Sequence, residues 1–334
     1  MRRLRLGIIG TGIATRDLHW PALRRLQDRF EIVALCNRTR SKAESFAELV
    51  GGNPSITTDY HELLAARDVE AVDISLPIVL NAPVTLEALA AGKHVLLEKP
   101  IAGDLQSAGE VVAAADDHPN LVLLVAENLR YEEWLLRARR AIDEGAIGRP
   151  ILIEAQVLSP MDPSSPYAGT EWRSTPEHLG GYLSDGGVHQ AAILHVLGGP
   201  IESVQGLITA FRPEDDPTDT LLANLRFASG AVGHITYSVG VRQGEPPSFR
   251  VYGTEGVLSA SWKGITLRNA DGESEIEVPN ALSSYERELL DFYEAIANGG
   301  ELQVSPRDAF ADLALIDATF RSSQSGAEVH LSTP

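Results

Sequence analysis

The residues best suited to chemistry begin ten positions into the chain. Gly10-Thr11-Gly12 follows a short apolar run, Leu4–Ile9, and precedes apolar positions at helical spacing over residues 17–29. The first glycine permits a tight turn after a strand. The second lets backbone approach a pyrophosphate, and the helix beyond Ile13 offers N–H donors and the positive end of its dipole. Thr15 stands at the third position of this fingerprint, where Gly or Ala is usual. A second apolar run, Glu31–Cys36, ends in Asn37-Arg38-Thr39-Arg40. A site that selects NAD usually places Asp or Glu there for the ribose 2′-hydroxyl. Asn37 removes the carboxylate that would repel a 2′-phosphate, and Arg38 can bind that phosphate or stack on adenine. The pair predicts NADP(H) in preference to NAD(H).

Farther on, Asp185 and His189 stand four apart, a spacing that shares one face of a helix. An imidazole with an ordinary pKa of ~6.5 suits proton transfer. A histidine on an apolar helix is equally a satisfied core residue, and Asp185 is equally a cap for the helix that follows. Lys99 precedes Pro100, which restricts the backbone on both sides of that bond and places the side chain.

The elements that must position these groups alternate at first. Strand patterns at Leu4–Ile9, Glu31–Cys36, Ala71–Leu76, His94–Leu97 and Leu121–Val125 are separated by helical patterns at 17–29, Ser41–Leu49, Pro83–Ala91 and Leu105–Ala115. This is the signature of βαβ units and a parallel sheet covered on both faces. After about residue 150 the pattern changes to closely spaced strands with short polar turns, such as Ser229-Gly230 and Ala270-Asp271-Gly272. A Pro/Ser/Gly-rich loop, 159–181, precedes a helix near 185–197, and helical patterns return at 283–297 and 306–321. The expected fold is α/β: a doubly wound parallel sheet of Rossmann type over 1–125, and over 126–334 an α+β domain with a large, mainly antiparallel open sheet.

The 334 residues carry 28 Lys+Arg and 46 Asp+Glu, a net charge of −18. Phosphate backbones repel such a chain, so nucleic acid is not an expected partner. The imbalance lies mostly after residue 125. The first part holds 13 basic and 16 acidic residues and tolerates an anionic ligand better. A single cysteine, Cys36, excludes an internal disulfide framework and fits a reducing cytoplasm. The arginine-rich start imitates a secretory leader, but glycines at 7, 10 and 12 cut its apolar run. No run approaches the ~18 apolar residues of a membrane span. The nine histidines form no H-x-x-x-H pair, so no metal is expected.

At Glu98-Lys99-Pro100 these features meet a more specific pattern. LGIIGTG, HWPAL, IVALCNRT, DVEAVDISLP and ALAAGKHVLLEKPIA, followed by VAENLRY, EWR, GGYLSDGGVHQ, YGTEGVL and LLDFYEAI, resemble the Gfo/Idh/MocA oxidoreductase family along nearly the whole chain. The resemblance implies a Rossmann domain joined to a C-terminal α/β domain whose open sheet makes the oligomer interface, hence a homodimer or homotetramer. It implies hydride transfer with NAD(P) on a sugar, polyol or small carbonyl compound. It implies Lys99, Asp185 and His189 as the catalytic set. Gly10, Thr11, Gly12, Ile13, Asn37, Arg38, Ser75, Leu76, Pro77, Asn81, Glu98 and Lys99 are implied around the cofactor. Asn128, Tyr131, Trp172 and Arg173 are implied around the substrate, with Arg130 in the same segment.

Some positions depart from the family pattern. Leu76-Pro77-Ile78 and Asn81 stand where Thr-Pro-Asn and a later His are common. Ala192 replaces an Asp three residues after His189, which points away from the sugar-alcohol subgroup, and SDGGVHQ together with AENLRY looks more like a less-characterised NADP-dependent branch. His195 falls off the Asp185/His189 face and reads as structural. Two other functions compete: a redox-neutral glycosidase with bound NAD, and a regulatory protein that senses NADP(H) without chemistry.

Overall fold

The computed structural model describes residues 2–162, 164–166, 177–211, 218–279 and 281–334. The chain divides into two compact units. The first comprises Met1–Asn128 and Leu282–Phe310, and the second Leu129–Ala281 and Ala311–Thr333. The sequence places a linear division at 125/126. The contacts instead return a late segment to the first unit, because its helix Ser284–Asn298 buries Leu289, Phe292 and Tyr293. Tyr293 meets Phe30 edge-on at 5.7 Å between ring centroids and donates its hydroxyl to the Arg2 carbonyl at 2.7 Å.

In the first unit, β1 (Leu4–Ile9), β2 (Phe30–Cys36), β3 (Ser55–Thr57), β4 (Ala71–Ile74), β5 (His94–Glu98) and β6 (Leu123–Ala126) form one parallel sheet. Its order is β3-β2-β1-β4-β5-β6, the dinucleotide-binding order, which reverses between β1 and β4. The central strands are apolar and buried, as a sheet with helices on both faces requires. β3 has only three residues, too few to show a period, and was not anticipated from the sequence. Asp73 is the exception among the buried strand residues: a carboxylate with no exposure, one residue from the carboxyl end of β4.

In the second unit, β7 (Pro150–Leu158), β8 (Ile201–Thr209), β9 (Thr220–Phe227), β10 (Val232–Ser238), β11 (Glu245–Gly253), β12 (Gly256–Ser261), β13 (Gly264–Asn269), β14 (Gly272–Ile276) and β15 (Val329–His330) form a sheet of order β14-β13-β12-β11-β7-β10-β9-β8-β15. Every neighbouring pair is antiparallel except β7 with β10. One face packs on helices Glu133–Asp143 and Gly187–Gly198, with Trp134 stacked on Phe249 at 5.7 Å. β9 alternates Leu221, Ala223, Leu225 and Phe227 inward with Leu222, Asn224 and Arg226 outward. The alternation is the mark of a sheet with one face open.

Candidate cofactor and catalytic residues

Gly10 adopts φ +97°, and a Cβ there would sit 2.1 Å from the Ser75 carbonyl oxygen. Only glycine lets β1 turn so closely past the chain leaving β4. Gly12 has nothing within 4 Å of the Cβ it lacks, so the space beside the turn is open to a ligand. Thr15, the odd third fingerprint residue, is buried and donates its hydroxyl to the Gly10 carbonyl at 2.6 Å. It thereby tightens the turn that a small residue would merely permit. Thr11 is buried and Ile13 half-buried. Asn37 donates its amide to the Thr11 hydroxyl at 3.0 Å and accepts the Thr39 N–H at 2.9 Å. Arg38 is exposed. Cys36 is buried beneath the loop; burial and then the Asp59 and Glu62 charges push its thiol up to about 11, so it is an inert apolar filler there. An open glycine turn at the point where strand order reverses fits a dinucleotide.

Ser75, Leu76 and Pro77 follow β4 and are half-buried. Asn81 is fully buried at the start of the next helix. Its side-chain nitrogen donates to the Glu98 carbonyl at 2.9 Å and to the Pro100 carbonyl at 2.7 Å. Asn81 is therefore a brace for the turn that carries Lys99. The Lys99–Pro100 bond is cis.

The sequence did not single out His19. Its ring is 2 % exposed, with Nδ1 2.8 Å from Asp73 Oδ2 and Nε2 3.0 Å from Glu98 Oε1. Burial alone would lower its pKa, but the Asp73 charge and the hydrogen bonds and charge of both carboxylates hold it well above the ordinary value. Glu288, on helix Ser284–Asn298, faces the same group. Burial, with the Glu98, Glu127 and Asp73 charges, pushes its carboxyl well up despite His19. The available signal was Asp73 itself, a charge inside an apolar strand, since a buried carboxylate demands a partner.

In the second unit, Asp185 ends a short helix, Gly181–Asp185, and His189 lies in the first turn of the next, Gly187–Gly198. A single helix was expected near 185–197. The break falls at Gly186, whose backbone stays in the right-handed helical region, φ −90° and ψ −26°. Gly186 leaves room for Tyr237: a Cβ would lie 2.2 Å from its hydroxyl, and one on Gly187 would lie 2.8 Å from Ile316 Cδ1. The cap of the second helix is Gly186, without a side-chain cap, so Asp185 does not serve as its N-cap. Asp185 is buried and His189 half-buried.

Among the residues implied around a substrate, Asn128 is buried and donates its amide to the Ser284 hydroxyl at 3.1 Å. Tyr131 is 1 % exposed. Arg130 is also buried, and donates from two nitrogens to Asp312 at 3.2 and 2.7 Å. His195 Nδ1 lies 2.8 Å from the same Asp312, consistent with a structural histidine. Trp172 and Arg173 lie outside the described residues. Among the described residues, no His/Cys/Asp/Glu group has metal-binding arrangement, and no helix is long and apolar enough to cross a membrane.

Residues 4–126 match the family model described as the oxidoreductase family, NAD-binding Rossmann fold, and residues 135–259 match the GFO/IDH/MocA C-terminal domain. An uncharacterized protein of Saccharomyces cerevisiae is 34 % identical over the whole of both chains. The 1,5-anhydro-D-fructose reductase of Ensifer adhaerens is 32 % identical over 98 % of this chain and 99 % of its own. A crystal structure of an oxidoreductase from Thermotoga maritima superposes with TM-score 0.92 at 40 % identity, covering 98 % of each chain.

Proposed function

Because the chain belongs to the Gfo/Idh/MocA family of oxidoreductases, we propose that it is an NADP(H)-preferring dehydrogenase or reductase. Its substrate is the CH–OH group, or matching carbonyl, of a sugar, polyol or small carbonyl compound. The observation that carries the cofactor preference is the end of β2, where Asn37 is spent on Thr11 and Thr39 and exposed Arg38 follows. No carboxylate of that loop opposes a 2′-phosphate. The sugar class rests on the anhydrofructose reductase relative.

The nicotinamide, when bound, supplies or accepts the hydride. Backbone from Gly10 to Ile13 holds the pyrophosphate beside the open face of Gly12. Ser75, Leu76 and Pro77 follow β4, where strand order reverses, and Glu98 ends the neighbouring β5. Lys99 donates a hydrogen bond to the reacting oxygen, where negative charge grows as an alcohol loses its proton. His189 takes that proton during oxidation and returns it during reduction. Asp185 accepts a substrate hydroxyl or orients the imidazole. Trp172 offers an apolar wall to a sugar ring, and Arg173 binds its oxygens. Asn128 and Tyr131 support the substrate side through the segment they fix.

A homodimer or homotetramer forms through the outer face of the nine-stranded sheet, where Leu207 and Leu222 are exposed. The single cysteine fits a cytoplasmic setting. The test is a fluorescence titration with NADPH and NADH, followed by absorbance assays with 1,5-anhydro-D-fructose, aldoses and inositols. Tighter NADPH binding and net cofactor turnover are expected. Turnover without net change in cofactor absorbance would identify a glycosidase, and binding without any turnover would identify a sensor.

A further inference from the structure

We infer that His19 is a positioning residue for Lys99: it grips the Glu98 side chain from below while Asn81 grips the backbone on either side of Lys99. The inference rests on the reading of Lys99 given above.

A neutral imidazole carries one N–H, and an ionised carboxylate only accepts. His19 meets Asp73 with one nitrogen and Glu98 with the other, at 2.8 and 3.0 Å. Both contacts are hydrogen bonds to carboxylates when the ring holds both protons. The groups around it come from each packed element. Asp73 comes from β4, Glu98 from the end of β5, and Tyr285 and Glu288 from helix Ser284–Asn298; Glu127, just beyond β6, adds its charge at Glu288. The ring bonds residues near the carboxyl ends of two neighbouring strands, β4 and β5, at the edge where open parallel sheets bind ligands.

Energy alone does not account for this arrangement. Apolar side chains of similar volume often replace buried ion pairs at no loss of stability. They would not supply a directed hold on Glu98. With that hold, residue 98 is fixed at its side chain by His19 and at its carbonyl by Asn81, and residue 100 is fixed at its carbonyl by Asn81. Lys99 stands between two fixed residues, with its Cα placed before any substrate arrives. A catalytic side chain set in this way loses little in turnover to misorientation.

The chain has four lysines, Lys42, Lys93, Lys99 and Lys263. Reductive methylation with ¹³C-formaldehyde therefore gives a short NMR spectrum, in which Lys99→Arg identifies the Lys99 signal. His19→Gln is expected to move the Lys99 resonance and its titration while Lys42 and Lys263, both exposed, keep theirs. Glu98→Ala, which leaves the His19–Asp73 contact in place, reproduces the displacement and carries the test if His19→Gln does not fold. Glu98→Gln keeps an oxygen that accepts from Nε2 and leaves the Lys99 signal near its original position. A Lys99 resonance unmoved in folded His19→Gln or folded Glu98→Ala overturns the inference. The reading of Lys99 itself is checked separately. Undiminished turnover of 1,5-anhydro-D-fructose with NADPH by Lys99→Met would end that reading, whatever the NMR result.

Discussion

Asn37 donates its side-chain amide to the Thr11 hydroxyl across 3.0 Å, which makes the end of β2 and the turn after β1 one hydrogen-bonded piece. The Asn37 side-chain oxygen Oδ1 accepts the Thr39 N–H in the same loop. The residue standing at the NAD-selecting position is thus used internally. On the reading proposed above, discrimination between the two cofactors falls to Arg38 beside it.

Arg38→Ala is expected to weaken NADPH about tenfold to a hundredfold, since a charged hydrogen bond contributes about 1.5–3 kcal/mol. NADH affinity should hardly change, because it has no 2′-phosphate. Asn37→Asp removes the donor to Thr11 and adds a repelling carboxylate, so the preference should turn toward NADH. Fluorescence titration of both cofactors decides; equal loss for the two would refute the assignment.

His189→Ala should lower kcat by about 10²–10⁴, the usual worth of general acid–base catalysis, and leave NADPH affinity intact. Stopped-flow rates of the variant should vary less with pH than those of the parent. Unchanged rate and pH dependence would reduce His189 to a packing residue.

His19 and Glu288 both hold their protons more tightly folded than unfolded. Unfolded, they titrate near ~6.5 and ~4.3 respectively. The stability linked to each is full below those values and is lost as pH rises toward the folded pKa, because the native state then binds more protons than the unfolded one. Glu288→Gln stays neutral at every pH. Its melting temperature relative to the parent should therefore rise from about pH 5 to about pH 8. Calorimetry showing a constant difference across that range would contradict the shift.

The Arg130–Asp312 pair is 8 % and 2 % exposed, so removing one partner strands a buried charge. Arg130→Ala should cost about 3–5 kcal/mol of stability, whereas removing the exposed Arg140–Glu144 pair should leave the unfolding midpoint almost unchanged. Urea unfolding of the two variants makes the comparison.

Leu207→Glu with Leu222→Glu places charge on the open face of β8 and β9. Light scattering at micromolar concentration should show a smaller particle than the parent. A parent that is already monomeric would refute assembly through this face.

The parallel sheet was legible because its strands are apolar runs set between helical periods and closed by Gly10-Thr11-Gly12. The meander after residue 150 was legible from its turns. The parallel contact of β7 with β10 was not, since no periodicity states which strand a buried strand will neighbour. Asn37 and Arg38 could be seen in the sequence at the end of an apolar run, but not the bond from Asn37 to Thr11, which depends on two turns meeting. Asp185 and His189 were legible as a spacing. The break between them at Gly186 was not, because it answers to Tyr237, more than forty residues later. His19 was hidden by its neighbours: in HWPAL it reads as one polar residue before an apolar helix, and only Asp73 hinted at a buried counter-charge.

The return of Leu282–Phe310 to the first unit bears on how the protein is made. A ribosome releases β1 to β6 first, yet Tyr293, which covers Phe30, and Glu288, which faces His19, are still untranslated. At about 5–20 residues per second, the second unit takes roughly ten to thirty seconds to emerge before that helix follows. Through that interval the nascent nucleotide fold has an uncovered flank, available to chaperones or to misassociation. Its closure comes from the chain's own last fifth, so a prematurely terminated product would carry a cofactor turn on an unfinished body.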